Sequence, residues 1–339
     1  MSIVRIQQHF GQAIAQPDIY KAALFVENDS GNYSEILSSG KSVDTPMMVA
    51  SISKMFTTSC VLKLVDAGII SLDDKIAKFL DAEIVNGLHV FEGRDYSQDL
   101  TVANLLFMTS GLPDYFTAEV GNLSMESILA KDRNISFAEI IAVTKRLGAL
   151  FAPDSDRAYY SDVNFDLLGK ILEDVTETPL KEIFAQLIFA PQGMNDSYVP
   201  TGNDLVPDTY YGSKKVSRER YNKSCPASAG CVSTLRDLMA FSKAFWSGKL
   251  VSNDLLLAIA KYRRIQFGIF WYGGGHMQLR GSKAINGFPR DAELVGHSGS
   301  TGCFMYYYPI RRLHIVGDLS QVDSPPIATQ LALKVAQAY

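Results

Sequence analysis

Met47-Met48-Val49-Ala50-Ser51-Ile52-Ser53-Lys54 is the stretch whose reading decides the fold. Ser51 and Lys54 stand three residues apart. The segment that follows, Met55 to Ala67, reads as a buried helix: Met55, Val61, Leu62, Leu64 and Val65 are apolar, and Gly68 stands where a helix stops. Residues three apart on a helix share a face and rise about 4.5 Å, so Lys54 falls one turn beyond Ser51 on the same side. A serine hydroxyl is a poor nucleophile until a neighbour takes its proton. A lysine held beside it, partly desolvated, can serve in that exchange. The helix N-terminus adds a positive dipole end where an oxyanion would form. By itself the pattern is common by chance and favours an N-cap serine, so other parts of the chain must distinguish the two readings.

Two further stretches bear on it. Tyr160-Ser161-Asp162 precedes Val163-Asn164-Phe165-Asp166-Leu167-Leu168-Gly169, and Gly296-His297-Ser298-Gly299-Ser300-Thr301-Gly302 precedes Cys303-Phe304-Met305. In this order they resemble the signatures of the serine β-lactamase and penicillin-binding-protein superfamily, Ser-x-x-Lys, Tyr-x-Asn and Lys-Thr-Gly or His-x-Gly. The similarity is greatest to the class C β-lactamase-like branch of esterases and D-aminopeptidases. Thr109-Ser110-Gly111-Leu112-Pro113-Asp114-Tyr115, Gly68 to Asp74, Pro191-Gln192-Gly193-Met194 and Ala229 to Thr234 resemble further stretches of that family. The likeness runs from about residue 20 to the C-terminus. It departs at three places: Met108 stands where His is usual, Asp162 where Asn is usual, and His297 where lactamases keep Lys.

The resemblance implies roles. Ser51 is the expected nucleophile, Lys54 the holder of its proton network, and Tyr160 a general base or relay. A phenol titrates near 10 in water, so Tyr160 needs neighbouring cations to act as a base. His297 completes the expected catalytic set. Gly299 lets a strand edge approach the substrate. The N–H groups of Ser51 and Ser300 form the implied oxyanion hole. An ionised Asp162 accepts hydrogen bonds but cannot donate to a substrate carbonyl, as Asn would. An imidazole at His297, near 6.5 if unperturbed, offers less charge to a substrate carboxylate than Lys. Both changes weigh against β-lactam turnover. Asp114 and Tyr115 are read as either cleft-lining or a plain turn.

The 339 residues are 47% hydrophobic and 20% charged, with a net charge of −4. Such a chain can bury a large core. Nothing in its charge favours nucleic acid or an anionic membrane surface, and no apolar run has the length of a membrane span. No secretory h-region opens the chain, so a cytoplasmic location is expected. Cys60, Cys225, Cys231 and Cys303 suit neither a zinc site nor a disulfide framework, so reduced thiols are expected; if any two bridge, they are Cys225 and Cys231. No metal and no cofactor is expected. The expected partner is a small-molecule substrate, and the oligomeric state is not legible.

Helices are expected at 3–16, 51–67, 75–80, 101–108, 124–130, 136–147, 164–175, 179–189, 230–247 and 325–338. Strands are expected at 22–26 and 33–37, joined as a hairpin around Asp29-Ser30-Gly31-Asn32, and at 266–272, 277–279, 293–295, 304–308 and 313–319. Strands near both ends with helices between argue for one sheet built from both ends of the chain. The expected fold class is α/β plus all-α, β-lactamase/transpeptidase-like, with an antiparallel sheet flanked by helices. The expected domains are a discontinuous sheet domain, 1–67 with 201–339, and a mostly helical domain, 68–200, with the active site in the cleft. The expected function is a serine hydrolase acting through an acyl-enzyme on a small ester, amide or D-amino-acid peptide. The alternatives are a true β-lactamase or DD-peptidase, and a non-catalytic ligand-binding or scaffold member of the same fold.

Overall fold

The computed structural model describes residues 2–117, 123–153, 155–281, 292–322 and 325–339. Among them an eight-stranded antiparallel sheet is the organising element. Its strands are β1 (Ala22–Asn28), β2 (Ser34–Ser39), β3 (Arg263–Arg264), β4 (Phe270–Tyr272), β5 (Met277–Arg280), β6 (Glu293–Ser298), β7 (Cys303–Tyr308) and β8 (Leu313–Asp318). They are ordered β2-β1-β8-β7-β6-β5-β4-β3. The two ends of the chain therefore meet at β1 and β8, where Phe25 faces Val316.

Both faces of this sheet are covered, and β1 shows how. Ala22, Leu24 and Val26 join the cluster formed with Ile6 and Phe10 of α1 (Ser2–Ile14) and Leu331 and Val335 of the C-terminal helix Pro325–Ala338. Ala23 and Phe25 join the opposite cluster, which contains Phe56 and Phe241. Successive side chains of a strand point to opposite faces, so a strand buried on both sides reads as a continuous apolar run. The tyrosines of β7 divide similarly. Tyr306 and Tyr308 belong to the cluster under the terminal helices, while Tyr307 stacks on Trp246 at 5.8 Å.

Helix α2 (Ser53–Asp66) runs through the interior behind the sheet. It is buried on nearly every side, and its polar residues are satisfied by backbone: Thr57 Oγ1 donates to Ala227 O at 2.7 Å and Ser59 Oγ to Met55 O at 2.8 Å. Against it packs α3 (Val163–Thr176), followed by a short helix Leu180–Phe184 that widens into a π-helical turn over Ala185–Phe189.

Several expected elements shift. The helix expected over 51–67 begins as a 3₁₀ turn, Ala50–Ile52, and becomes α-helical only at Ser53, because Ala50 sits at φ +43°. The helix expected over 230–247 starts with two extended residues, Val232–Ser233, paired to Met47–Met48; the helix α4 proper is Leu235–Trp246. The element expected over 75–80 is only a 3₁₀ turn, Ile76–Lys78. The strand expected from Gln266 is confined to Phe270–Tyr272, because Gln266 turns its amide to another loop. A helix at Asn253–Ile259, strand β3 and a small hairpin, Thr209–Tyr211 with Lys214–Val216, went unread.

Candidate active site

Ser51 is placed by a turn that other segments hold. Val49 N–H donates to Cys231 O at 3.0 Å, Thr301 Oγ1 to Met48 O at 2.8 Å, and Cys303 Sγ to Val49 O at 3.0 Å. The turn includes Ala50 in the left-handed region, a conformation costing about 1–3 kcal/mol at a non-glycine residue. The end of β6 packs directly on it. A Cβ added to Gly299 would lie 2.5 Å from Cys303 Sγ, 2.7 Å from Val49 O and 2.9 Å from Ala50 Cβ. No larger residue fits between the strand and the serine turn.

Lys54 is wholly buried, and its ammonium has three oxygen neighbours. It donates to Ser51 Oγ at 3.2 Å and to Ser228 O at 2.8 Å. Asp162 Oδ1 lies 2.7 Å from it, an ion pair without hydrogen-bond alignment. The ring of Tyr160 lies over the same ammonium at 5.0 Å.

Tyr160 is held from the far side by Gln266. Its N–H donates to Gln266 Oε1 at 2.8 Å, and Gln266 Nε2 donates back to Tyr160 O at 2.9 Å. Burial, with the charge of Asp162 added, pushes the Tyr160 hydroxyl well above its ordinary value. Its Oη has no partner in hydrogen-bond geometry, although Ser51 lies close enough to favour the phenolate. The cationic surroundings expected for a resting phenolate are thus not the ones found: the Lys54 charge is already paired with Asp162. Tyr160 rests as a phenol.

The loop Thr109 to Tyr115 is stitched to the Tyr160 turn. Ser161 Oγ donates to Pro113 O at 2.8 Å, Ser110 Oγ to Asn164 Oδ1 at 2.6 Å, and Asp162 N–H to Asp114 Oδ1 at 3.1 Å. Asp114 is therefore cleft-lining and not a plain turn residue. Burial and Asp162 push its carboxyl up to about 7. The same two causes push Asp166 up to about 7, and Tyr115 Oη donates to it at 2.9 Å.

His297 differs from expectation. It is fully buried, its Nδ1 lies 2.7 Å from Ser298 O, and its ring lies 6.0 Å from that of Tyr160 and 5.9 Å from that of Tyr272. Burial, reinforced by the Lys54 charge, lowers it to about 3. It stays neutral near pH 7 and does not line the cavity. Near pH 7 it therefore carries no charge to offer a substrate carboxylate. Its neighbour Ser298 takes the cavity-facing position, because adjacent strand residues face opposite ways.

The cavity has a volume of about 780 Å³. Ser51, Tyr160, Asp162, Asp114, Gly299 and Ser300 all line it. Beyond them its walls are largely apolar, with Phe116, Phe267, Phe270, Met277 and Leu333. Arg218, also on the wall, is nearly buried. The four cysteines are buried thiols, and Cys225 and Cys231 do not bridge. Among the described residues no group of His, Cys, Asp and Glu is arranged to hold a metal ion, and no helix is long and apolar enough to cross a membrane.

Sequence reading left Asp166, Gln266 and Ser228 without a role. Asp166 had a signal, because it lies four residues from Asp162 and hence on the same helical face. Ser228 contributes a backbone carbonyl and Gln266 reaches across 106 positions, so neither left a local trace.

Known proteins resemble this chain in sequence and in fold. A family model described as Beta-lactamase matches residues 29–339. The D-alanyl-D-alanine-carboxypeptidase/endopeptidase AmpH of Escherichia coli (strain K12) is 24% identical over 228 residues, 67% of this chain and 54% of that protein. The acyltransferase mokF of Monascus pilosus is 28% identical over 196 residues, covering 54% of this chain and 46% of that protein. The chain spans about half the length of the curated relatives it matches. The D-stereospecific amidohydrolase from Streptomyces sp. superposes with a TM-score of 0.80 at 21% identity, covering 96% of this chain and 97% of its own.

Proposed function

We propose that this chain, which belongs to the Beta-lactamase family, is a serine hydrolase that forms an acyl-enzyme at Ser51. The observation that carries this reading is the 3.2 Å hydrogen bond from Lys54 Nζ to Ser51 Oγ, at the wall of a cavity that Tyr160 and Ser300 share. In acylation, Ser51 Oγ bonds to the substrate carbonyl carbon and the bond to the leaving group breaks. The Ser51 proton passes to the leaving group through Tyr160 and Lys54. Tyr160 accepts one proton as it gives up another, so a phenol suffices. The N–H groups of Ser51 and Ser300 receive the oxyanion. Water then releases the acid by the reverse route. We read the layout as a sheet domain, 1–67 with 201–339, and a helical domain, 68–200, facing each other across the cavity.

The substrate is a small ester, amide or D-amino-acid peptide. Asp162 cannot donate to the acylamino carbonyl of a β-lactam, while activated esters need only Ser51, Lys54, Tyr160 and the oxyanion donors. The preference rests on Asp162, which cannot donate, and on His297, which stays neutral where a lysine would offer a positive charge to a substrate carboxylate.

A fluorophosphonate probe tests the nucleophile. It is expected to add one label per chain, at Ser51, and Ser51→Ala removes both label and turnover. Labelling elsewhere, with Ser51→Ala still active, overturns the mechanism. A panel of p-nitrophenyl esters, D- and L-aminoacyl p-nitroanilides and nitrocefin then reads specificity. At about pH 8.5, where Asp114 has lost its proton and cannot donate either, short-chain esters are expected to exceed nitrocefin in kcat/KM by at least about tenfold, roughly 1.4 kcal/mol. Faster nitrocefin hydrolysis than that of every ester removes the argument from Asp162.

A further inference from the structure

Three carboxyl groups and one ammonium crowd together beneath Ser51. Asp162 Oδ1 lies 2.7 Å from Lys54 Nζ. Asp114 Oδ1 accepts the Asp162 N–H at 3.1 Å, and Asp166 Oδ2 accepts the Tyr115 hydroxyl at 2.9 Å. All three aspartates are 6% exposed, and Lys54 is not exposed at all. A single ammonium balances a single carboxylate, and Asp162 is the one paired with it. Ionising the other two would set three buried carboxylates against one ammonium, an arrangement that crowded carboxyl groups avoid by retaining protons. The groups facing Asp114 are Lys54 from α2, Asp162 and Tyr160 from the turn before α3, and the N–H of Phe116, which with that of Asp162 favours the ionised form; Arg218 and Tyr221 share the cavity wall. Burial and Asp162 together push Asp114 up to about 7.

The two remaining carboxyl groups differ in what they face. Asp166 is turned to Tyr115 and is absent from the cavity lining, whereas Asp114 belongs to it. A protonated carboxyl both donates and accepts, like a side-chain amide. An ionised Asp162 only accepts. We propose that Asp114 is a specificity-determining residue, carried as a neutral acid that donates a hydrogen bond to a second carbonyl oxygen on the acyl part of the substrate. It thereby supplies the donor that Asp162 lacks. The substrate class this selects is esters or amides whose acyl group carries an acceptor beside the scissile carbonyl, such as an α-acylamino group. The assignment deepens the proposed acyl-enzyme chemistry at Ser51 and rests on it.

The test compares kcat/KM for the p-nitrophenyl esters of N-acetylglycine and of acetic acid, each corrected with Ser51→Ala. In the unaltered protein the ratio of the two is expected to fall about tenfold between about pH 5.5 and about pH 8.5, as Asp114 loses its proton. Asp114→Asn, which keeps a donor at every pH, is expected to hold the ratio high and flat. Asp114→Ala is expected to hold it low and flat. A flat ratio in the unaltered protein, or an Asp114→Asn ratio as low as that of Asp114→Ala, overturns the assignment while acetate-ester cleavage at Ser51 stands. If neither ester is cleaved and no probe labels Ser51, the acyl-enzyme reading and this assignment fall together.

Discussion

Lys54 and Asp162 are best understood as one unit. An ammonium without exposure is tolerable in this interior because a carboxylate sits 2.7 Å away and Ser228 supplies a carbonyl. Removing one partner strands the other. Lys54→Met is expected to cost roughly 3–5 kcal/mol in urea unfolding near neutral pH, because Asp162 is left as an uncompensated buried charge. The double change Lys54→Met with Asp162→Asn is expected to recover at least half of that loss. Strict additivity of the two single changes would falsify the pairing as the source of the cost. His297 stands in contrast at this scale. Burial and the Lys54 charge drive the imidazole down to about 3, so its ionisation cannot shape activity between pH 5 and 9.

Among the elements, the contact between the end of β6 and the serine turn is the most demanding. Gly299 N–H donates to Cys303 O at 2.8 Å, closing the hairpin to β7, and its α-carbon faces Val49 and Ala50 with no room for a methyl group. Cys303 Sγ and Val49 O cannot both retreat, because they are bonded to one another at 3.0 Å. Gly299→Ala must therefore push the strand away from Ala50, whose left-handed backbone is already strained. The expected result is a loss of about 1–3 kcal/mol in stability and at least about tenfold in kcat for esters, since small misplacements of a nucleophile are costly. Crystallography of the variant should show Ser51 displaced; an unmoved Ser51 with full activity would contradict this account.

For the whole molecule, buried acids and buried histidines together set how stability depends on pH. Asp114 and Asp166 are held at about 7 in the fold, above the usual carboxylate value of an unfolded chain. The native state thus binds their protons more tightly than the unfolded state does. Their stabilising contribution is complete below the unfolded value and is lost as pH rises through about 7. His276 and His314, held at about 4, and His297, at about 3, act the other way below about pH 6.5, so chemical unfolding is expected to show the fall from these acids between about pH 6.5 and about pH 8, by on the order of 1 kcal/mol per group. Asp166→Asn retains an acceptor for the Tyr115 hydroxyl and carries no charge, so it should remove part of that slope and stabilise the protein near pH 8. A slope unaltered by Asp166→Asn would show that other groups set it.

Much of this was legible in the chain itself. The Ser51 to Lys54 spacing, the apolar runs of β1, β7 and β8, and the Asp29-Ser30-Gly31-Asn32 hairpin are local patterns, and they determined the antiparallel sheet built from both ends of the chain and the family likeness. The start of α2 was misjudged by two residues because apolar periodicity does not register the backbone angle of Ala50. What tertiary structure alone decided is electrostatic and long-range. Whether His297 faces a substrate or the core depends on strand register and on Tyr160 and Tyr272 packed over it. The state of Asp114 depends on Asp162, 48 positions away, and on how little water reaches either. A residue type fixes what a side chain can donate, accept or ionise; only packing fixes which neighbours and how much solvent it meets, and those decide its charge.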